Sequence, residues 1–237
     1  MNKSLIAIFT FLLLVSCTEK KSTKNFVVTG NINGLKKGTL YIQRIQDTTL
    51  VAIDTITING DSHFTSSFDL QSPEMLYLFL DRGVTNSLDN NIPFFAEKGT
   101  MNIETSLDFF TADAKITGSK NQELYDEYRK VVSRFVDQDL DCIEKKFKAY
   151  KSNKMDEVAT IEASQKDILK RKYLYTTNFA VNHADHEVAP YVTLAEIYDI
   201  NLKYLDTIQK SMTPQVLKSM YGKKLTVFVA QRRKEGR

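Results

Sequence analysis

The sequence contains little cysteine or histidine and has no large excess of charge. It holds two cysteines and three histidines among 237 residues, at positions that form no Cys-x-x-Cys pair and no cysteine zinc cage. So few histidines give little support to a serine or cysteine catalytic triad. The formal net charge is +3, and the lysines and glutamates are interleaved along the chain. This pattern gives no reason to expect a nucleic-acid partner.

Long hydrophobic runs are also scarce, and the main one lies at the N-terminus. Lys3 precedes a nearly uninterrupted apolar run from Leu5 to Val15. The run is shorter than the roughly 20 residues that cross a bilayer, and it has the length of a signal-peptide core. It ends in Leu14-Val15-Ser16-Cys17, which resembles the bacterial lipobox, whose cysteine is acylated and becomes the mature N-terminus. This resemblance implies a lipoprotein signal peptide over residues 1–16 and lipidation of Cys17.

The alternative is an uncleaved or conventionally cleaved secretory leader followed by a chance cysteine. No later stretch is long and apolar enough to span a membrane, so attachment would depend on the acyl chains at Cys17. The residues after that cysteine are polar and rich in lysine. They predict a flexible tether over residues 17–25, with ordered structure beginning near Phe26.

From Phe26 to about Thr117, short runs rich in β-branched and aromatic residues alternate with Gly, Asn and Asp clusters. Asn59-Gly60 is a strong hairpin signal, so we expect the runs on either side of it to pair antiparallel. The fold predicted for residues 26–118 is an antiparallel β-sandwich or a partly closed barrel. Its predicted strands are Phe26–Ile32, Gly38–Arg44, Leu50–Ile58, His63–Leu70, Met75–Leu80, Ile92–Ala96, Met101–Thr105 and Ala114–Thr117.

After Gly118 the apolar periodicity becomes helical. Ser119 and Gln122 fit a capping box, and the apolar residues that follow recur at spacings of three, four or seven. This pattern predicts a long helix to about Tyr150. Cys142 falls on the apolar stripe of that helix, so we expect a buried, inert thiol.

The rest of the chain is also predicted to be helical. Asn153 is expected to cap a second helix that ends before the segment His183–Pro190, and two shorter helices should follow. Thr213-Pro214 places a capping hydroxyl before a proline, which is typical of the start of a last helix. The predicted fold class is therefore α+β, with an all-helical segment over residues 119–237.

Five segments of the chain carry a resemblance to a known family. They are Phe26-Val27-Val28-Thr29-Gly30, Gly38-Thr39-Leu40-Tyr41-Ile42, Ile58-Asn59-Gly60 with His63-Phe64, Pro73-Glu74-Met75-Leu76-Tyr77-Leu78 and the exit from Gly118-Ser119 to Tyr125. With these segments, the lipobox and the order of strands before helices, the sequence resembles the Bacteroidetes lipoproteins that carry the DUF4369 domain. In many of those proteins the module precedes a thioredoxin-like domain with a Cys-x-x-Cys site, used in periplasmic thiol-disulfide chemistry. That motif is absent here, so the resemblance implies no oxidoreductase activity for this sequence.

The most site-like cluster is His183-Ala184-Asp185-His186-Glu187. Two imidazoles three residues apart share a helical face, and a carboxylate can complete a zinc site. The remaining histidine, His63, lies in a predicted strand and Pro190 follows closely, so a polar helix end is the preferred interpretation. We assign no metal, cofactor or catalytic residue.

Two other groups of side chains have a structural interpretation as well as a functional one. Carboxylates that alternate along a helix point in different directions and are assigned to a solvated face. Many of the eleven tyrosines could line a carbohydrate or peptide groove, although most lie on apolar stripes where packing is the default. The residues concerned are Asp137, Asp139 and Asp141, and Tyr77, Tyr125, Tyr128, Tyr173, Tyr175, Tyr191, Tyr198 and Tyr204.

These patterns predict a non-enzymatic, lipid-anchored protein of the cell envelope with a binding or positioning role. Its expected partners are a membrane, reached through Cys17, and an envelope protein. Surface-exported lipoproteins of the family that this sequence resembles tend to carry an acidic run after the lipidated cysteine, and Thr18 to Lys21 do not form such a run. We therefore expect the protein on the periplasmic side of the outer membrane. An unfamiliar hydrolase that uses the tyrosines and the His183 region lacks specific support.

The alternative function is a component of periplasmic thiol-disulfide exchange that lacks its own thioredoxin-like domain. Such a protein would be either truncated or dependent on a separate thioredoxin-like partner. The sequence ends at Glu235-Gly236-Arg237. A Cys-x-x-Cys coding region in the DNA that follows the Arg237 codon would favour this alternative, and unrelated sequence would disfavour it.

Overall fold

The structure is a computed structural model that describes residues 24–83 and 87–236. The predicted signal peptide, Cys17 and most of the predicted tether lie outside the described residues. A β-rich part precedes a helical part, as the sequence predicts. The strands are β1 (Phe26–Asn33), β2 (Lys37–Gln46), β3 (Thr49–Asn59), β4 (His63–Phe68), β5 (Glu74–Asp81), β6 (Asn91–Ala96), β7 (Gly99–Ser106) and β8 (Lys115–Thr117), with a 3₁₀ turn at Leu88–Asn90 before β6.

The strands form two four-stranded sheets that face each other as an open sandwich rather than a closed barrel. One sheet has the order β4-β1-β7-β8 and the other has the order β3-β2-β5-β6. The predicted sandwich is thus confirmed, with one difference: β1 runs parallel to β7, while the other strand pairs are antiparallel. A parallel pair needs a long connection between its two strands. Here the connection from β1 to β7 passes through the second sheet twice, as β2–β3 and as β5–β6, with β4 of the first sheet between them.

Alternating side chains build the core between the two sheets. In β1 the residues Phe26, Val28, Gly30 and Ile32 are buried, while the residues between them are half-buried. In β5 the residues Leu76, Leu78 and Leu80 are buried in the same way and pack against the first sheet. The two-residue period of a strand places alternate side chains on one face, which explains why the strand positions are readable from the sequence.

The predicted hairpin between Leu50–Ile58 and His63–Leu70 is wrong. Strand β3 pairs instead with β2, and β4 pairs with β1 in the other sheet. Gly60 has a φ of 98°, and its N–H donates to the carbonyl oxygen of Lys36 at 2.7 Å. The Asn59-Gly60 turn therefore leads the chain out of one sheet and into the other. The Ser66 hydroxyl donates to the Asp54 carboxylate and links the two adjacent edge strands.

The predicted tether is wrong at its C-terminal end. Asn25 exchanges two hydrogen bonds with the backbone of Leu70, at 2.7 and 3.0 Å, and Lys24 forms an ion pair with Asp69 at 2.8 Å. The carbonyl oxygen of Asn25 also accepts from the N–H of Gly99 at 2.9 Å. Lys24 and Asn25 therefore belong to the folded unit.

The helical part begins as predicted and continues to the end of the described chain. The N–H of Gln122 donates to the Ser119 hydroxyl at 3.0 Å, which confirms the N-cap. The Gln122 side chain does not complete a capping box, because its Oε1 accepts from the N–H of Phe95 in β6 at 2.6 Å. The helices are α1 (Lys120–Lys151), α2 (Met155–Asn182), α3 (Val188–Glu196), α4 (Leu202–Ser211), α5 (Pro214–Lys218) and α6 (Met220–Lys234).

Two predicted features of the helical part are wrong at residue level. Asn153 does not cap α2: it has a φ of 54° and terminates α1, a conformation that asparagine tolerates better than most residues. Lys154 precedes α2 without a side-chain cap. The helix that Thr213 begins also ends early, at Lys218, and Ser219 caps the separate helix α6.

Across the described residues, none of the helices has the length and apolarity needed to cross a membrane. The helices α1 and α2 form a long antiparallel hairpin. Its base packs on the sheet that contains β6, where Phe95 and Met75 meet Leu124, Tyr128 and Phe179. This packing fixes the direction in which the hairpin leaves the sandwich.

Candidate functional site

The most unusual surface of the molecule is an apolar row on the distal half of α1. Five large apolar side chains of this row retain between 46% and 60% of their exposure. From residue 133 to residue 148 every residue of α1 is half-buried or exposed. We call this row the α1 stripe, and it consists of Val136, Leu140, Ile143, Phe147 and Tyr150.

The stripe exists because α1 carries two apolar rows. One row faces α2, where Ala149 is buried against α2 together with Val158 and Ile168, and the Gln165 amide donates to Asp139 at 2.8 Å. The α1 stripe lies next to that row, about 100° further around the helix. Its spacing of four, three, four and three residues is that of a coiled-coil seam.

Cys142 lies in the row that faces α2 and is half-buried, so the expectation of a buried thiol is wrong. The hairpin is only two helices thick at this level. A residue on the contact row therefore keeps one side towards solvent, whereas a third layer would have covered it.

A groove runs between the α1 stripe and α2. It has a volume of about 390 Å³ and is lined by Val136 and Leu140 from α1 and by Leu169 from α2, with Lys166 and Lys172 at its rim. Leu169 is itself 49% exposed, so it extends the apolar surface onto the second helix.

A second groove, of about 430 Å³, shares Lys166 and Leu169 with the first and continues towards α4. Its walls are Leu174, Ile200, Tyr204 and Tyr173. The Tyr173 hydroxyl donates to Asp199 at 2.6 Å, and burial together with this carboxylate raises the pKa of Tyr173 to about 12. These two tyrosines are the part of the predicted aromatic set that lines an open groove.

Charges divide along the α1 stripe. The N-terminal half is flanked by acidic residues and the C-terminal half by basic ones. Glu144 and Lys148 form an ion pair where the halves meet, and this hydrogen bond holds the pKa of Glu144 below its usual value. The Lys151 ammonium lies 4.8 Å from the centre of the Phe147 ring, a cation–π contact at the basic end. The acidic residues are Asp137, Asp139, Asp141 and Glu144, and the basic ones are Lys145, Lys146, Lys148 and Lys151.

Most other tyrosines of the predicted set pack in the joint between the sandwich and the helices. The ring of Tyr191 lies 5.8 Å from that of Tyr125 and 5.0 Å from that of Tyr221. The Tyr221 hydroxyl accepts from the N–H of Met75 at 3.1 Å, and burial raises the pKa of Tyr191 and of Tyr221. These contacts agree with the packing interpretation for this part of the set.

A buried asparagine also anchors the base of the hairpin. The Asn121 amide donates to Glu97 at 2.7 Å and to Glu187 at 3.1 Å, and its carbonyl oxygen accepts from the N–H of Val188 at 2.8 Å. Glu97 also accepts from the backbone N–H of Lys120 at the start of α1. One side chain thus connects α1, α3 and the end of the second sheet. The sequence gives no sign of it, because its partners lie far away in the chain.

Glu74, at the start of β5, is buried beside the same joint. Its carboxylate accepts from Arg44 at 2.8 Å. Burial raises the pKa of Glu74, and the nearby Arg44 and Lys224 cations oppose this shift without cancelling it.

The structure separates the side chains of the segment from His183 to Glu187. His183 packs on Phe179, with ring centres 4.5 Å apart, and the ring of His186 bonds Asp185 at 2.8 Å. Glu187 turns inwards to Asn121. Within residues 24–83 and 87–236, no group of three or more His, Cys, Asp or Glu side chains is placed to hold a metal ion.

The fold and this surface define a class of protein: an open two-sheet sandwich that carries a long helical hairpin with an exposed apolar seam. A family model for a domain of unknown function, DUF4369, matches residues 26–125. The chain is therefore a DUF4369 domain-containing protein, and the match covers the strands and the first turns of α1. No curated protein and no solved structure matches the chain.

Proposed function

We propose that this protein is a lipid-anchored, non-enzymatic component of the cell envelope that holds another protein chain against its α1 stripe. The observation that carries the binding role is the exposed apolar row from Val136 to Tyr150. A contiguous apolar surface with a polar rim is typical of an interaction site, whereas single exposed apolar residues are common. Burying what remains exposed of five such side chains would contribute on the order of 5 kcal/mol.

The geometry of the hairpin suits a helical partner. Val136 and Leu140 of the stripe form a shallow groove with Leu169, and an amphipathic helix can lay its apolar face into such a groove. The joint around Asn121 and Phe95 fixes the base of the hairpin, so the groove is held in a defined direction before a partner arrives. A preorganised surface loses less entropy on binding.

The anchoring role rests on the sequence pattern that ends at Cys17. From that residue to Lys24 the chain can extend by at most about 25 Å. An acylated Cys17 would therefore hold the sandwich close to a membrane. The periplasmic face of the outer membrane is the location that we propose.

The anchor is tested by intact mass and membrane fractionation of the chain expressed in its host, with a Cys17→Ala variant as the comparison. We expect a triacylated chain that begins at Cys17 and pellets with membranes, and an unprocessed variant. An unmodified, free Cys17 would refute the anchor and would make a disulfide with Cys142 worth testing.

The binding surface is tested by photo-crosslinking in intact cells. A photoreactive phenylalanine analogue is placed at Leu140 in the stripe and, as a matched control, at Val227, which is 58% exposed on α6. We expect a protein adduct from position 140 and none from position 227. Equal adducts, or none from position 140, would contradict a binding role of the stripe.

A further inference from the structure

We infer that the chain held by the α1 stripe is a second copy of this protein, paired antiparallel through the distal halves of the two hairpins. This inference rests on the binding role proposed for the stripe and is independent of the lipid anchor. Most soluble oligomers are symmetric, and a two-fold dimer presents the same surface from both copies. The surface must then be complementary to itself, and the stripe meets this requirement in both shape and charge.

The charge division selects the antiparallel direction. When the two helices cross near Glu144, Asp137, Asp139 and Asp141 of one stripe lie against the basic half of the other, and the two Glu144 side chains meet at the two-fold axis. Asp137 of one copy then lies opposite the partner's Lys151, and the symmetric pair forms at the other end. A parallel pair would set acidic against acidic and basic against basic, which is destabilising.

The same alignment also brings the apolar layers into register. In an antiparallel seam the flanking pair of Asp137 and Lys151 is centred on residue 144 and the apolar layers on residue 145. Ile143 then lies opposite the partner's Phe147 and Leu140 opposite the partner's Tyr150, while Val136 extends past the end of the partner's stripe. Each of these layers occurs twice because of the symmetry. The spacing of four and three residues keeps all of them on one seam, as in a coiled coil. Leu169 from α2 widens the contact on one side.

One observation favours a second copy over an unrelated helix. The basic and acidic flanks are balanced along one helix, so the complement of the stripe is the stripe itself read in reverse. A different partner would place no such requirement on the order of charge.

The oligomeric state of the full chain in mild detergent tests the inference, by native mass spectrometry at roughly 100 µM protein. We expect a dimer. Leu140→Glu should weaken dimerisation by roughly 30-fold or more, the effect of losing a central apolar anchor. Val227→Glu is the matched control on α6 and should leave the dimer intact. Far-UV circular dichroism of both variants checks that the helices are retained.

A charge exchange tests the direction of pairing. Asp137→Lys and Lys151→Glu should each weaken the dimer by about 10-fold, because every pair occurs twice. The two substitutions together in one chain should restore it, since each new cation then meets a new anion on the other copy. A partner other than a second copy would give no such restoration.

The outcomes separate this inference from the proposed function. A monomer at all concentrations, or a dimer unaffected by Leu140→Glu, would overturn the inference. A dimer that the double exchange fails to restore would overturn the antiparallel pairing. If the chain is monomeric while Leu140 still crosslinks to a different protein in cells, the binding role stands and the second copy is the wrong partner.

Discussion

Replacement of Asn121 by alanine tests whether one buried side chain fixes the hairpin to the sandwich. The residue is 3% exposed and bonds two carboxylates and a backbone N–H. Alanine would leave Glu187, itself buried, without this donor and the first N–H of α3 without its acceptor. We expect a loss of unfolding free energy larger than that of most single substitutions.

The magnitude follows from the contacts. A hydrogen bond to a charged group contributes about 1.5–3 kcal/mol, and a buried N–H left unpaired costs about 1–3 kcal/mol. Glu97 still accepts from the backbone N–H groups of Lys120 and Asn121 after the substitution. The free energy lost with the Asn121–Glu97 hydrogen bond is therefore smaller than that lost with the Asn121–Glu187 hydrogen bond. Alanine favours the helix by about 0.6 kcal/mol, which offsets part of the effect. The expected net loss is about 3 kcal/mol.

Urea unfolding of the full chain, followed by far-UV circular dichroism, measures this loss. The matched control is Asn182→Ala, since that asparagine is exposed in the last turn of α2. It should change the unfolding free energy by less than about 0.5 kcal/mol. A loss below about 1 kcal/mol for Asn121→Ala, or equal losses for the two variants, would refute the reasoning.

Three further predictions concern the core and the joint. A Cβ at Gly30 would lie 2.2 Å from the carbonyl oxygen of Ile103, whereas one at Gly38 would lie 3.3 Å from a flexible leucine methyl. Gly30→Ala should therefore lower the unfolding free energy by about 3 kcal/mol and Gly38→Ala by less than about 1 kcal/mol, in the same urea assay. Burial raises the pKa of Glu74, so its contribution is most favourable below the unfolded-state pKa and is lost as pH rises through the folded-state pKa. The stability of Glu74→Gln relative to wild type should thus increase from pH 4 to pH 7, and the opposite slope would contradict this cause. Tyr128→Phe removes a 2.9 Å bond to Thr176 and should cost about 1 kcal/mol; no change in urea midpoint would show that the bond contributes nothing.

Strand positions were predictable from the sequence, but strand partners were not. The alternation in β1 and β5 follows directly from the pleat, and Ser119 marks the start of α1 through a local hydrogen bond. The Asn59-Gly60 signal has the same local origin, since it indicates a sharp turn. Whether the next strand stays in the same sheet depends on contacts such as that between Gly60 and Lys36, which no local pattern records.

The candidate site was missed for a related reason. Both apolar rows of α1 are visible in the sequence. Of the stripe that was expected to pack, Leu124 and Tyr128 are buried, whereas Cys142 is only half-buried. The spacing from Val136 to Tyr150 carries the same helical signal. Only the arrangement of α2 decides which row is covered, and the polar anchor at Asn121 likewise depends on distant residues.

The parallel pairing of β1 with β7 has a consequence for how the chain folds. Strand β1 must wait for its neighbours: β4 begins at residue 63 and β7 at residue 99. Until then both edges of an apolar strand present unpaired N–H and C=O groups, which other chains can use as a template. Pairings this distant in sequence also form slowly. A newly made chain would therefore gain most from a chaperone during the synthesis of its first hundred or so residues.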